Sequence, residues 1–277
     1  MISVASCENA LFRNEFTMSP FVKRLNKQMT LAAVLILLSI GGAAGDASAG
    51  QVLLSGSTTF QKRVLEPSQK LMEKKTGIFC QVTAAGTVRG LKDLMKGEVS
   101  AAIASCPLDA ALQETGIPPE GTYQEHVIMQ DQVVAIVNPS NKVKGLTLAQ
   151  LTAIHSGKIA NWKEVGGPDE RIVVVVPPAS SGTLAFLKET VMKGAAITPN
   201  AYTTVTDREA LDIVGKSPIA VALLSEGFVK ANGKQVKVVK TPAMKRPLSI
   251  ITRDEPTPEL KAIIKFLKSP EAKKLFK

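Results

Sequence analysis

The sequence predicts an α/β protein with mostly parallel sheets, built as two similar halves joined by strand crossings. From Gly50 onward, short apolar runs alternate with amphipathic stretches of helical length, which is the pattern of strands followed by helices. Several of these strands end in small or hydroxyl residues, and no fixed-period repeat or low-complexity linker separates the halves. These observations favour one continuous α/β fold over two independent domains.

Three strands open the region, and helices follow the first two. The strands are predicted over 52–54, 78–83 and 101–105, and the helices over 59–75 and 88–96. The third strand ends at Pro107, which has no N–H to donate to a continuing ladder. Ligands of open α/β sheets bind beyond the carboxyl ends of the strands, so the small residues that follow these strands are candidate binding residues.

The second half continues the same alternation. Further strands are predicted over 133–137, 172–176, 219–224 and 248–252. The patterns of a capping box mark two helix starts, at Thr147 with Gln150 and at Thr206 with Glu209. A terminal helix is predicted to begin at Thr257-Pro258, because proline is well suited to the first helical position.

Two loops carry the strongest functional signal, Ser55-Gly56-Ser57-Thr58-Thr59 and Ser180-Ser181-Gly182-Thr183. Each lies between a predicted strand and an amphipathic helix. The first N–H groups of a helix have no intrahelical partner and the helix dipole is positive there, so such a position attracts anions. Serine and threonine are also ordinary N-caps, and plain capping explains either loop alone. The occurrence of two in the same setting makes anion binding an equal alternative.

The amino-terminal region predicts export. Lys23, Arg24 and Lys27 precede an apolar stretch from Thr30 to Ile40, and small residues lead to Ala47-Ser48-Ala49. This is a signal-peptide pattern, and its apolar stretch is far shorter than the roughly 20 residues of a membrane-spanning helix. We expect a signal peptide over residues 1–49 that is cleaved after Ala49, with Met18 or Met29 as the true start. The uncleaved anchor is the less favoured alternative.

The composition of the expected mature chain limits the classes of ligand that it could bind. Residues 50–277 contain 30 basic and 21 acidic residues, once the 4 basic and 3 acidic residues of the signal are removed, for a net charge of +9. A basic exported protein suits a small anionic ligand or an anionic surface. Lysines are scattered and aromatic residues make up only 4% of the chain, so a nucleic-acid surface is not expected.

Specific stretches of the chain match one family. The most specific are Leu146-Thr147-Leu148, Ile154-His155-Ser156-Gly157-Lys158-Ile159, Asn161-Trp162-Lys163-Glu164-Val165-Gly166-Gly167 and Ser181-Gly182-Thr183. In the same order the family also has Gly56-Ser57-Thr58-Thr59, Gly90-Leu91-Lys92-Asp93-Leu94, Ser105 with Pro107-Leu108, and Asp131 with Val137-Asn138-Pro139. Over nearly all of residues 51–277 the sequence resembles the phosphate-binding proteins of bacterial ABC transporters, which are two-lobed periplasmic binding proteins of type II.

The resemblance implies two α/β lobes, with mostly parallel sheets, joined by crossing hinge strands. Lobe I would be residues 50–130 completed by 247–277, and lobe II residues 131–246. A small tetrahedral oxyanion, most simply phosphate, would bind between them without a cofactor or metal, and an inner-membrane ABC permease would be the partner of a monomeric periplasmic protein. The resemblance implies the ligand residues Ser57, Thr58, Thr59, Gly86, Thr87, Ser105, Ser181, Gly182 and Thr183.

Departures from the family pattern concern charge. Pro177 stands where the family usually has an arginine before its Ser-Gly-Thr loop. Ser105-Cys106 stands where Ser-Arg is common, so that Cys106 replaces the arginine. Without those cations we expect the loops themselves to hold most of the ligand, with Arg89 at the second helix start as a candidate replacement. The family's strand order places Cys80 and Cys106 about two strand spacings apart, near 10 Å, so we expect free thiols rather than a disulfide.

Two other functions are alternatives to transport. An exported sensor or adhesion module of the same fold would bind the same ligand without transport, and neighbouring genes for a permease or a histidine kinase would separate the two. A serine hydrolase needs a base beside its serine. The sequence offers only His126 and His155 and has no Gly-x-Ser-x-Gly elbow, so we do not expect an enzyme.

Overall fold

The computed structural model describes residues 50–276. The predicted signal peptide, residues 1–49, lies outside the described residues. Helices and strands alternate as predicted from the sequence. The strands are β1 (Gln51–Gly56), β2 (Phe79–Thr83), β3 (Ala101–Ala104), β4 (Tyr123–Val137), β5 (Val173–Val176), β6 (Tyr202–Thr203), β7 (Ala220–Ser225) and β8 (Lys237–Arg253).

Most helices cover one face of the sheet or the other. Helix α1 is continuous through Thr58–Phe60, a π-helical stretch Gln61–Leu65 and Glu66–Thr76, and α5 joins Gly182–Phe186 to a π-helical stretch Leu187–Met192. The others are α2 (Thr87–Met95), α3 (Leu108–Thr115), α4 (Leu148–His155), a 3-10 turn Trp162–Val165, α6 (Asp207–Lys216), α7 (Glu226–Asn232), α8 (Pro258–Leu267) and α9 (Pro270–Lys273). Among residues 50–276, no helix combines the length and apolar composition needed to cross a membrane.

The eight strands form a single sheet in the order β2-β1-β3-β8-β4-β7-β5-β6. Parallel pairing joins β1 to β2 and β3, and joins β5 to β6 and β7, while β4 and β8 run antiparallel through the centre. Each half is thus a small parallel sheet, and the two long strands connect the halves. This confirms the predicted α/β class and the strand crossings.

The crossing strands are much longer than predicted. The sequence indicated strands over 133–137 and 248–252, whereas β4 and β8 contain 15 and 17 residues. Their additional parts, such as Gln124-Glu125-His126 and Lys245-Arg246-Pro247, are polar and lack apolar alternation. These parts are strands because they pair with each other, with Gln130 opposite Pro247 and Glu125 opposite Ile251. Tertiary pairing overrides the local pattern here.

Several helix starts follow the predicted caps. Thr147 and Gln150 form a complete capping box at α4, and the Thr206 hydroxyl accepts a hydrogen bond from the Glu209 N–H at α6. The Glu209 carboxylate, however, accepts from the Val205 N–H rather than from Thr206. Helices α3 and α7 were not predicted, because each is only two turns long and has little apolar periodicity.

Within residues 50–276, both cysteines are free and buried. Cys80 lies on β2 and Cys106 follows β3, and these strands lie on opposite sides of β1, as the family's strand order requires. Burial raises the pKa of Cys80 to about 11 and that of Cys106 to about 12, so both stay protonated at neutral pH.

Candidate binding site

The loops beyond the carboxyl ends of six strands enclose a cavity of about 930 Å³. Its lining begins with residues that follow β1, β2 and β3, and continues with residues that follow β5, β6 and β7. A parallel sheet directs these ends toward one edge, which is where ligands of open α/β folds bind. Of the predicted ligand residues, the cavity is lined by Ser57, Thr58, Thr59, Gly86, Thr87, Ser105, Ser181 and Gly182.

The first loop places its hydroxyls at the start of α1. Ser57 is the N-cap, and its Oγ accepts a hydrogen bond from the Phe60 N–H at 3.1 Å. Gly56 has a positive φ of 138°, and a Cβ at this position would lie 2.1 Å from the Ile103 carbonyl oxygen, so only glycine fits. A capping hydroxyl accepts through its oxygen and keeps its hydrogen to donate. Capping and ligand binding are therefore compatible at Ser57.

The second loop repeats this arrangement at the start of α5. Ser181 is the N-cap and its Oγ accepts a hydrogen bond from the Thr183 N–H at 3.1 Å. Pro178, Ser180, Ser181 and Gly182 line the cavity from this side. The positive end of a second helix dipole therefore faces the cavity opposite α1.

The second loop touches the start of α2 beside the cavity. The Val88 N–H donates to the Ser180 carbonyl oxygen at 3.1 Å. A Cβ on Gly182 would lie 2.4 Å from the Thr87 Oγ1 and 2.5 Å from the Ser105 Oγ. Glycine is required there because the α5 backbone approaches these hydroxyls closely.

Thr87 and Ser105 form a buried hydroxyl pair at this contact. The Thr87 Oγ1 accepts from the Ser105 N–H at 3.1 Å and lies 3.4 Å from the Ser105 Oγ. Cys106, where the family commonly has arginine, is fully buried and does not line the cavity. Thr87 and Ser105 therefore supply hydroxyl groups to this part of the cavity, and Cys106 supplies no charge.

Two predicted ligand residues lie elsewhere. Arg89 is largely exposed, does not line the cavity, and donates to Asp93 at 2.7 Å. It is on the outer face of α2, one turn from its partner, so the structure gives no support to Arg89 as a replacement cation. Thr183 is buried behind the cavity lining, where its Oγ1 accepts from Arg246.

Two arginines that share one buried carboxylate lie beside the cavity, and neither was predicted from the sequence. Arg63, in the π-helical stretch of α1, lines the cavity and pairs with Asp131. Arg246, on β8, is fully buried, and its Nε donates to the same carboxylate at 2.9 Å. Cationic side chains therefore lie beside the cavity together with the hydroxyl loops. Asp131 and Arg246 interrupt strands, and such charges in a buried strand were the available signal.

An acidic side chain also faces the cavity. Asp207 begins α6 and lines the cavity, together with its neighbour Arg208. Burial raises the pKa of Asp207, and the Arg246 charge opposes that rise while the Asp131 charge adds to it. Asp207 is thus more easily protonated than an ordinary aspartate.

Neither histidine lies in the cavity lining. His126 contacts Thr252 at 3.2 Å, and His155 is fully buried with its Nδ1 2.8 Å from the Leu151 carbonyl oxygen. The serines of the cavity therefore have no imidazole base. Within residues 50–276, no group of three His, Cys, Asp or Glu side chains could hold a metal ion.

Comparisons with known proteins agree with this geometry. Residues 41–271 match the model of the PBP superfamily domain. The chain is 28% identical to the phosphate-binding protein PstS of Bacillus subtilis, over 91% of this chain and 90% of that protein. It is 29% identical to PstS of Staphylococcus epidermidis, over 86% of this chain and 81% of that protein.

Solved structures give the same result. An ABC-type phosphate transport receptor of Vibrio cholerae is 27% identical, with a TM-score of 0.66 over 81% of this chain and 96% of that one. A structure described as a phosphate ABC transporter substrate-binding protein of Clostridium perfringens, with bound phosphate, is 27% identical, with a TM-score of 0.70 over 82% of this chain and 96% of that one.

Proposed function

The chain belongs to the PBP superfamily. We propose that it is an exported solute-binding protein that captures a small tetrahedral oxyanion for an ABC importer, and that this oxyanion is phosphate. The relatives with 27–29% identity are binding proteins for phosphate or receptors of phosphate transport, and none of their names denotes an enzyme. Their names support the ligand class and the permease as partner. The periplasm is the compartment that fits the signal-peptide pattern.

The observation that carries the proposal is the meeting of the two hydroxyl loops in one cavity. They lie more than a hundred residues apart in the chain, yet residues of both line this cavity, and the Val88 N–H of α2 donates to the Ser180 carbonyl oxygen of the second loop at 3.1 Å. Plain capping requires no such meeting. Two helix starts that face one cavity, each with hydroxyl donors, form an anion site.

The lobes are part of the same proposal. We place lobe I at residues 50–130 with 247–277, and lobe II at residues 131–246, so that each boundary falls on a crossing strand. Donors from both lobes line the cavity. A ligand held by both lobes favours the closed arrangement, and the permease would recognise that arrangement.

Hydrogen bonds from the two helix starts can account for micromolar affinity. Micromolar binding corresponds to about 8 kcal/mol, and each hydrogen bond to a charged group contributes roughly 1.5 to 3 kcal/mol. The N–H groups and hydroxyls of the two helix starts can supply four or five such bonds. A nearby cation adds to this for a dianion.

The test is a calorimetric titration of residues 50–277 with phosphate, sulfate, molybdate, tungstate and a phosphonate. Phosphate should release or absorb measurable heat with one site per chain. Thr58→Ala and Ser181→Ala should weaken binding, because each removes a hydroxyl from the cavity lining. Ser140→Ala is the matched control, since Ser140 is an exposed serine bonded to Asn138 at 2.7 Å, outside the cavity. Unchanged affinity in both loop variants would place the ligand elsewhere.

A further inference from the structure

We propose that Asp93 is a positioning residue for the oxyanion site, and that it acts through Ser55. The hydrogen bond between these two side chains holds the first hydroxyl loop and the start of α2 in the arrangement in which both present donors to one ligand. The inference rests on the proposed function, because it assigns a role in that same site. Neither Asp93 nor Ser55 lines the cavity, so neither is offered as a ligand residue.

The contact between the two side chains is the first argument. The Ser55 Oγ donates to the Asp93 Oδ2 at 2.7 Å, and the two residues are 0% and 6% exposed. A hydrogen bond from a hydroxyl to a charged carboxylate is stronger than one between neutral groups, and burial strengthens it further. The pair therefore joins β1 to α2 by a contact that is shielded from water.

The place of Ser55 in the chain is the second argument. Ser55 lies on β1, which is the middle strand of its half of the sheet because it pairs with both β2 and β3. Gly56 comes next, and Ser57 and Thr58 follow it in the cavity lining. A shift of Ser55 is therefore passed within two residues to the start of α1.

The packing of α2 against this segment is the third argument. A Cβ on Gly90 would lie 2.3 Å from the Ser55 carbonyl oxygen and 2.5 Å from the Gly56 Cα, so only glycine allows the helix to approach so closely. The Gly86 N–H donates to the Gly56 carbonyl oxygen at 2.8 Å. Because Gly86 and Thr87 line the cavity, these contacts set the distance between the donors of α1 and those of α2.

Arg89 holds the Asp93 carboxylate in this orientation. Its Nε donates to the Asp93 Oδ1 at 2.7 Å, one turn away on α2, while Oδ2 accepts from Ser55. The Arg89 side chain is more than half exposed, so it neutralises the carboxylate from the solvent side. A buried charge is tolerated when it is paired and hydrogen-bonded, and Asp93 meets both conditions.

The experiment is a calorimetric titration of residues 50–277 with inorganic phosphate, with urea denaturation of each variant in parallel. Ser55→Ala should weaken binding by about tenfold, because the first loop loses the contact that fixes it to α2 before the ligand arrives.

Ser249→Ala is the matched control. The Ser249 hydroxyl is also fully buried and donates to a carboxylate, that of Glu125 at 2.8 Å, but this pair joins β8 to β4 rather than a hydroxyl loop to α2. The variant should lose stability and keep its phosphate affinity within about twofold. Equal affinity losses in Ser55→Ala and Ser249→Ala would overturn the proposal.

A double-mutant cycle separates positioning from a general loss of stability. Asp93→Asn keeps a group that can hydrogen-bond to Ser55, whereas Asp93→Leu keeps the size and removes that group. Asp93→Asn should therefore bind phosphate more tightly than Asp93→Leu. When Ser55→Ala is also present, the two Asp93 substitutions should give affinities within about twofold of each other. A difference that is as large without the Ser55 hydroxyl as with it would show that Asp93 does not act through Ser55.

Hydrogen exchange covers the case in which an Asp93 variant does not fold. In phosphate-free Ser55→Ala, the peptide that contains Ser57 and Thr58 should exchange faster than in the wild type, as seen by mass spectrometry. Unchanged exchange there, or unchanged phosphate affinity, would overturn the inference and leave the proposed function standing. If the folded wild type binds no phosphate, the proposed function fails and the inference fails with it.

Discussion

Asp131 and Arg246 face each other in register across the two crossing strands, and their side chains form a fully buried ion pair. The same arginine donates through Nη1 to the Thr183 Oγ1 at 2.7 Å. The strand pair that joins the two halves of the sheet therefore also fixes the start of α5. The crossing strands and the start of α5 are therefore connected through Asp131, Arg246 and Thr183.

Removal of the Asp131 charge should destabilise the fold. Asp131→Asn removes the buried carboxylate with which both Arg63 and Arg246 pair. We expect the free energy of unfolding to fall by about 3 to 5 kcal/mol, as when one partner of a buried ion pair is removed. Urea denaturation followed by circular dichroism measures this.

The matched control is Asp169→Asn. Asp169 pairs with Lys163 at 3.0 Å, but both side chains are more than half exposed. An exposed pair contributes at most about 1 kcal/mol. Equal losses in Asp131→Asn and Asp169→Asn would show that the buried cluster has no special role in stability.

The close contact at Gly182 predicts a loss of binding. In Gly182→Ala the new methyl group would overlap the hydroxyls of Thr87 and Ser105, so the second loop must move away from these two residues. Phosphate affinity measured by calorimetry should fall at least tenfold, a change of about 1.4 kcal/mol. Gly145→Ala is the control, since its nearest contact is the Lys240 carbonyl oxygen at 3.3 Å, outside the cavity. Equal phosphate affinity in the two variants would contradict a requirement for the close approach of Gly182 to Thr87 and Ser105.

The elements that were predicted correctly have a strong local pattern. The apolar run of β7 and the capping box at Thr147 can each be recognised from a few consecutive residues. The outer parts of β4 and β8 do not, because they are polar segments that become strands only by pairing with each other. Helix starts at Ser57 and Ser181 were likewise visible in the sequence. The Arg63–Asp131–Arg246 group was not, since its members lie up to 183 positions apart. Asp131 and Arg246 come together through the strand register, and Arg63 joins them from α1.

The carboxyl of Asp207 should make phosphate binding depend on pH in the acidic range. Its pKa is raised, so it loses its negative charge as the pH falls through that raised value, and its repulsion of an anion then disappears. Between about pH 6 and 4 phosphate stays a monoanion, and the wild-type affinity should increase as the pH falls. Arg63, Arg208 and Glu66 are the other charged groups named here that line the cavity with Asp207.

Calorimetry of Asp207→Asn over the same range checks this. The variant should bind phosphate more tightly than the wild type near pH 6 and should show a flatter pH profile. Asp212→Asn, farther along α6 and outside the cavity, should retain the wild-type profile. A pH profile that Asp207→Asn shares with the wild type would exclude this role of Asp207.

The buried His155 should reduce stability in mild acid. Burial lowers its pKa below the ordinary value, although the hydrogen bond to Leu151 opposes this, and its Nε2 has no hydrogen-bond partner. The unfolded state therefore binds a proton more readily than the folded state. The stability associated with neutral His155 is complete above about pH 6.5 and is lost as the pH falls toward the lower folded pKa.

His155→Leu should remove this pH dependence. The stability of the variant relative to the wild type should increase as the pH falls from about 7 to 5, measured by thermal unfolding in a series of buffers. The comparison is internal, because any loss of packing affects both ends of the series equally. A difference between variant and wild type that stays constant with pH would mean that His155 does not titrate in this way.

The most direct test of phosphate capture between the two halves is a calorimetric titration of residues 50–277 with phosphate, with Ser181→Ala measured beside the wild type. We expect one phosphate bound per chain and weaker binding in the variant, because helix starts from both halves hold the ligand. An absence of heat with phosphate and with every other oxyanion of the panel, in protein that is folded by circular dichroism, would contradict it.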